Sequence, residues 1–212
     1  MTEPGLVTPP GVELIDDLSV DRVAGFIAAA LAGEGPRAAA IPGGSTPAPY
    51  LAALATRDLH WASLAIHLTD DRIVPHDHAA SNFGMVQRLL GSTGAAIAEL
   101  REGAEPPAFD LVWLGMGADG HIASLFPDST PALADGMAIR RITPDPLPPE
   151  APFDRLTMTL AALVRTRQMM LVIKGTDKIA VLDDALAGRN DLPIARLLKA
   201  ASCPVTIFRG AA

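Results

Sequence analysis

The sequence predicts an α/β fold, a Rossmann-like, mostly parallel sheet with helices on both faces. Short apolar runs rich in Val, Ile and Leu alternate with segments of helical period, and each main run leads into a turn rich in glycine or acid. Parallel strands need long crossovers, which helices packed on the sheet supply.

In chain order, SVDRVAGFIAAALA at 19–32 places Val20, Val23, Phe26, Ile27 and Leu31 at helical spacing, with Ser19 as N-cap and Gly33 as stop. RAAAIPGG is a short strand ending in glycines, and PAPYLAALATR is a helix with Pro47 at its first position. SLAIHL is a strand, TDDRIVPHDHAA a loop, and SNFGMVQRLLG a helix capped by Ser81. DLVWL is a buried strand that runs into GMGADGHIASLFP. QMMLVIKG is a strand, DKIAVLDDALAG a helix and PVTIF a last strand. Pro-rich stretches at 3–10 and 144–152 read as an arm and a surface loop, and neither is flanked by a change of composition. Residues 1–212 therefore read as a single domain without internal repeat.

A chain of 212 residues with 49% hydrophobic and 19% charged side chains is globular in composition, large enough to bury roughly 70% of its unfolded surface. Its net charge of -7 opposes sequence-independent attraction to nucleic acid or anionic lipid, leaving a small molecule as the expected partner. An anionic ligand would need locally gathered cations, which directs attention to Arg72, Arg155 and Lys178. The single cysteine, Cys203, reads as inert filling at the start of a buried strand. The N-terminus lacks the basic start and apolar run of a signal peptide, and no apolar stretch reaches about 18 residues, so a cytoplasmic protein is expected.

In a doubly wound sheet, ligands sit beyond the carboxyl ends of the strands. PGGSTP at 42–47 suits a phosphate: Gly43 and Gly44 turn the backbone, Ser45 and Thr46 offer hydroxyls and amides, and a helix begins just after. Equally, Thr46 caps its helix and the glycines only make the turn; these residues alone leave both readings open. The spacing is not that of a Walker A loop. In TDDRIVP, Asp70 and Asp71 beside Arg72 suit the placing of a substrate or a proton, although such a cluster alone is more often a surface ion pair. His76 and His78 form an HxH pair without a nearby third ligand, a weak metal signal.

Gly115, Gly117 and Gly120 spell G-x-G-x-x-G after a strand, but mid-chain and with Pro127 close behind, which argues against a dinucleotide site. A glycine loop presenting Asp119 and His121 at a sheet's edge instead suits acid–base chemistry.

IPGGSTP, TDDRIVP with SN soon after, DLVWLGMGADGHIASLFP, and RLTMT followed by GTDK strongly resemble the 6-phosphogluconolactonase family, in the family's order over roughly residues 40–180. The glucosamine-6-phosphate isomerase/deaminase family shares several blocks but continues after its DGH with an F-N-E-P-like stretch, where this chain has SLFP. The resemblance implies a hydrolase that opens the lactone ring of a phosphorylated sugar acid without metal or cofactor, with the isomerase/deaminase reading as the alternative. It implies that His121 draws a proton from the attacking water, that Asp119 orients it, and that Asp70 joins them as a catalytic carboxylate. It also implies that Arg72, the loop Gly43, Gly44, Ser45 and Thr46, and Lys178 hold the phosphate; Arg155 joins them or serves a structural ion pair. The family usually has Asp-Glu-Arg where this chain has Asp70-Asp71-Arg72, which leaves the role of Asp71 open, and no residue after Gly188 carries a family role. With no G-x-S-x-G elbow, direct water attack is expected over an acyl-enzyme. A phosphosugar lactone is the expected partner, not nucleic acid or membrane, for a monomer or weak homodimer.

Overall fold

The structure, a computed structural model, describes residues 9, 11–128, 136–147 and 151–211. Its main sheet contains β1 (Val12–Ile15), β2 (Arg37–Ile41), β3 (Leu64–Leu68), β5 (Ala96–Ala98), β6 (Leu111–Leu114), β9 (Met169–Lys174) and β10 (Val205–Gly210). The seven strands run in the order β1-β10-β9-β6-β2-β3-β5, and every pairing is parallel. A second, three-stranded sheet is antiparallel, with β4 (Asp70–Arg72) and β7 (Ile139–Ile142) on either side of β8 (Arg155–Met158).

The helices are α1 (Val20–Leu31), α2 (Ala48–Leu54), α3 (Asn82–Leu90), α4 (Leu160–Leu163), α5 (Thr176–Leu186) and α6 (Pro193–Ala200). From β2 the chain moves outward to β3 and β5, whereas from β6 it moves the other way to β9 and β10. Right-handed crossovers in opposite directions put their helices on opposite faces. Accordingly α1, α2 and α3 pack in one layer and α5 packs with α6 in another. Covered on both sides, β6 buries all four residues and β2 buries Ala38 to Ile41. α1 buries Val23, Ala24, Ile27 and Leu31, the one-sided stripe of a surface helix, and Phe26 meets Phe208 edge to face at 5.2 Å. Among the described residues no helix is long and apolar enough to cross a membrane.

Several local expectations need correction. Asp70–Arg72 are not loop but β4, because their backbone finds partners across from β8. Pro47 stands just before α2, its carbonyl accepting from Leu51 N at 3.0 Å. Ser19 occupies the N-cap position of α1 without a side-chain cap bond; its amide donates to Asp17 Oδ1 at 2.8 Å. Ser81 caps α3 as expected, its Oγ accepting from Gly84 N at 3.0 Å. Cys203 is only half-buried and precedes β10, and burial there pushes its thiol upward. Of the two Pro-rich stretches, residues 3–8, 10 and 148–150 lie outside the described residues.

Candidate active site

The sheet order reverses between β2 and β6, and a cleft of about 290 Å³ opens at the carboxyl ends there. It is close to the lower end of the roughly 300–1,000 Å³ usual for small-molecule sites. The loop after β2 contributes Gly43, Gly44, Ser45 and Thr46, and the loop after β6 contributes His121. From the second sheet come Asp70, Arg72 and Arg155, and from the first turn of α5 comes Lys178. Trp113, Met116 and Val172 supply apolar lining. Every expected site residue except Asp119 lines this one cleft, and Asp119 stands behind His121.

Arg72 and Arg155 are cross-strand partners in the β4–β8 register. Directly opposed like charges destabilise a strand pair, and the carboxylate of Asp70 on β4 acts on Arg155 in the opposite sense. Arg155 is 6% exposed and its ionisation is pushed down, chiefly by burial, next by the charge of Arg72, against the opposing pull of Asp70. Its Nη2 donates to Ala151 O at 3.2 Å, and its guanidinium lies 5.5 Å from the centre of the Phe126 ring. Arg72 Nη1 donates to Ala80 O at 2.9 Å and Asn82 Oδ1 at 3.1 Å. The Nε atoms of both arginines are buried and have no hydrogen-bond partner among the described residues. Arg155 therefore belongs to the cation cluster and forms no ion pair with a described residue.

Asn82 organises this end. Its Nδ2 donates to Asp70 O at 2.9 Å, and a Cβ on Gly43 would fall 2.1 Å from Asn82 Cγ, so only glycine lets the β2 loop pass so close. Asp71, whose role the sequence leaves open, faces away from the cleft's chemistry. Its carboxylate accepts from the amides of Arg72 at 2.8 Å, Asn82 at 2.7 Å and Phe83 at 2.9 Å, fastening β4 to the start of α3. Burial raises its carboxyl, and those amides pull it back.

At the other end, His121 Nδ1 lies 2.6 Å from Asp119 Oδ1. The bond to His121 foremost holds Asp119 below the ordinary carboxylate range. An ionised Asp119 keeps the proton on Nδ1, so that Nε2 carries the lone pair. The His121 ring also packs on Phe126 at 4.7 Å between centroids. Asp70 is 7% exposed and accepts a 2.5 Å bond from the buried hydroxyl of Ser124, whose amide donates to Thr157 Oγ1 at 3.1 Å. Between His121 and Ser124, Ala123 adopts φ 48°, a strained conformation that the two bonds of Ser124 hold in place.

No side chain caps α2, so Thr46 does not serve as its cap. His76 lies 3.3 Å from Glu99, and His78 Nδ1 accepts from Ala80 N at 3.0 Å. Among the described residues no group of three or more His, Cys, Asp or Glu is placed to hold a metal. Sequence reasoning missed Asn82, Ser124 and Phe126 as parts of the site. The SN following TDDRIVP was the available signal for Asn82, and the SLFP stretch the signal for the other two.

Comparisons with known proteins agree with this fold. The family described as glucosamine-6-phosphate isomerases/6-phosphogluconolactonase matches residues 12–99 and 91–206. A 6-phosphogluconolactonase of Pseudomonas aeruginosa is 37% identical over 210 residues, covering 88% of this chain and 86% of that protein. One of Pseudomonas putida is 39% identical over 191 residues, covering 80% and 78%. Among solved structures, a 6-phosphogluconolactonase from Shewanella baltica superposes with a TM-score of 0.81 at 27% identity, covering 98% of this chain and 100% of that one.

Proposed function

This chain belongs to the glucosamine-6-phosphate isomerase/6-phosphogluconolactonase family, and we propose that it is a lactonase that hydrolyses 6-phospho-D-glucono-1,5-lactone to 6-phosphogluconate in its cleft. The observation that carries this reading is the pairing of two guanidinium groups, the half-buried Arg72 opposite the buried Arg155, in the same cleft as an imidazole whose Nδ1 is held by a carboxylate. An anion anchor and a base in one pocket suit a phosphorylated substrate with a hydrolysable carbonyl.

Arg72, Arg155, Lys178 and the Gly43–Thr46 loop bind the phosphate and thereby place the ring, converting a bimolecular attack into one between held groups. His121 Nε2 takes a proton from water as the water oxygen adds to the lactone carbonyl carbon. The tetrahedral intermediate then expels the ring oxygen, which receives that proton from His121, leaving an open-chain carboxylic acid that ionises. Asp119 keeps His121 in the required tautomer and stabilises its transient charge. Asp70, held by Ser124, accepts a hydrogen bond from the sugar or from the attacking water.

The lactone branch is favoured over the isomerase branch by Phe126. It precedes Pro127, where F-N-E-P carries its Glu, and its ring rather than a carboxylate meets His121. Residues 1–212 act as one domain in the cytoplasm, as a monomer or weak homodimer, with neither nucleic acid nor membrane as partner.

The test is lactone hydrolysis with substrate generated in situ, coupled to 6-phosphogluconate dehydrogenase, with spontaneous opening subtracted. Turnover well above background is expected. Background rate from folded protein, together with turnover of glucosamine-6-phosphate, would overturn the assignment.

A further inference from the structure

We propose that the connector between α5 and α6 is a clamp that positions the base, with Leu192 as its principal residue. Gly120, immediately before His121, is buried and adopts φ +80°. Its amide donates to Gly117 O at 3.1 Å, and its carbonyl accepts from Ile194 N, in the first turn of α6, at 3.1 Å. A Cβ added to Gly120 would lie 2.7 Å from Leu192 Cδ1 and 2.9 Å from Leu192 Cβ, so the leucine sits hard against the Gly120 α-carbon. Asn190 fixes the leucine in turn: its Oδ1 accepts from Leu192 N at 3.3 Å and its Nδ2 donates to Val181 O at 3.2 Å, tying the connector to α5.

The peptide that carries His121 is thus gripped on both sides, by its own loop through Gly117 and by a distant part of the chain through Ile194 and Leu192. A base on a glycine-rich loop has many conformations to lose, and a shift of about 1 Å at a reacting group is enough to cost about a hundredfold in rate. Leu192 is not among the residues that line the cleft. It is a positioning residue, acting through His121.

This inference rests on His121 being the base, and the experiment separates the two. Turnover and thermal unfolding are measured for the wild type, His121→Ala, Leu192→Ala, Leu192→Met and the double variant His121→Ala/Leu192→Ala. Leu192→Ala should lower kcat about tenfold with KM within about twofold, and Leu192→Met should recover most of the rate, because methionine refills the contact. In the double variant, removing Leu192 should leave the residual rate of His121→Ala unchanged. An unaltered kcat in Leu192→Ala, a KM that rises with the loss, or a full Leu192 effect on the His121→Ala background would overturn the clamp. If Leu192→Ala does not fold, Asn190→Ala serves in its place, with the same pattern at about threefold and the same outcomes against it. Wild-type turnover in His121→Ala would instead remove the base assignment, whatever Leu192 does.

Discussion

The arginine end of the cleft stands on two hydrogen-bonded strands, whereas the histidine end stands on a loop of glycines held from behind. Arg72 and Arg155 are locked opposite each other by the β4–β8 ladder, with Asn82 and Asp71 bonding the same strand to α3. His121 has one hydrogen-bonded side-chain partner, Asp119, packs on the Phe126 ring, and otherwise relies on backbone bonds of its loop. The difference follows from what each end must resist. Two like charges repel continuously and need a ladder to hold them together, while an imidazole needs only orientation. Changes at the arginine end should therefore move KM and stability, and changes at the histidine end should alter rate with little effect on stability.

The largest effect should come from His121→Ala, with kcat falling by about 10² to 10⁴ and KM changing little. Unfolding at neutral pH should move slightly, since the side chain is 31% exposed and outside the core. The Asp119 pair adds a pH signature. Because His121 holds that carboxyl low, its stabilisation is present above the ordinary carboxylate range, near pH 4, and is lost as pH falls through the lowered value. Melting curves of wild type and variant should thus converge in acid, and a kcat close to wild type would break the comparison at its base end.

Next is Arg155→Met, which keeps the buried stem and deletes the charge. Losing a charge-assisted bond to phosphate should raise KM about 10- to 100-fold. Since Arg155 is buried opposite Arg72 without a carboxylate partner among the described residues, thermal stability should stay level or rise. A large fall in Tm with unchanged KM would show the arginine pair to be structural. Asn82→Ala should behave differently: it strips a partner from Arg72 and from the Asp70 carbonyl, so KM should rise several-fold while stability falls by about 1–3 kcal/mol. Equilibrium unfolding beside steady-state kinetics sorts the two residues.

How much of this was legible in the sequence follows the same division. The main sheet was readable at β2, β3, β6, β9 and β10 because each of these strands is a local apolar run between turn residues, and the β2 and β6 loops because glycines and polar side chains are local signals. The second sheet was not. Asp70-Asp71-Arg72 is too short and too charged to read as a strand, and becomes one only by pairing with Arg155–Met158, far away in sequence. β1 and β5 escaped notice too, being short edge strands completed by β10 and β3. Ser124 and Phe126 were visible as letters of a family block, but their contacts with Asp70, His121 and Arg155 arise from folding that loop against β4 and β8.

The smallest effect should be that of Lys178→Ala, and its salt dependence sharpens the comparison most. Lys178 lies half-buried on the first turn of α5, forms no ion pair with a described residue, and offers a point charge rather than a fork. Its removal should raise KM only about three- to tenfold at low ionic strength. A partly exposed charge is screened at a Debye length of about 3 Å in 1 M salt, whereas a buried guanidinium is screened far less. Raising ionic strength should therefore bring the KM values of wild type and Lys178→Ala together while the gap to Arg155→Met persists. A Lys178 effect that survives high salt would place that ammonium in direct contact with the phosphate, behind the same shelter from solvent that β4 and β8 give the arginines.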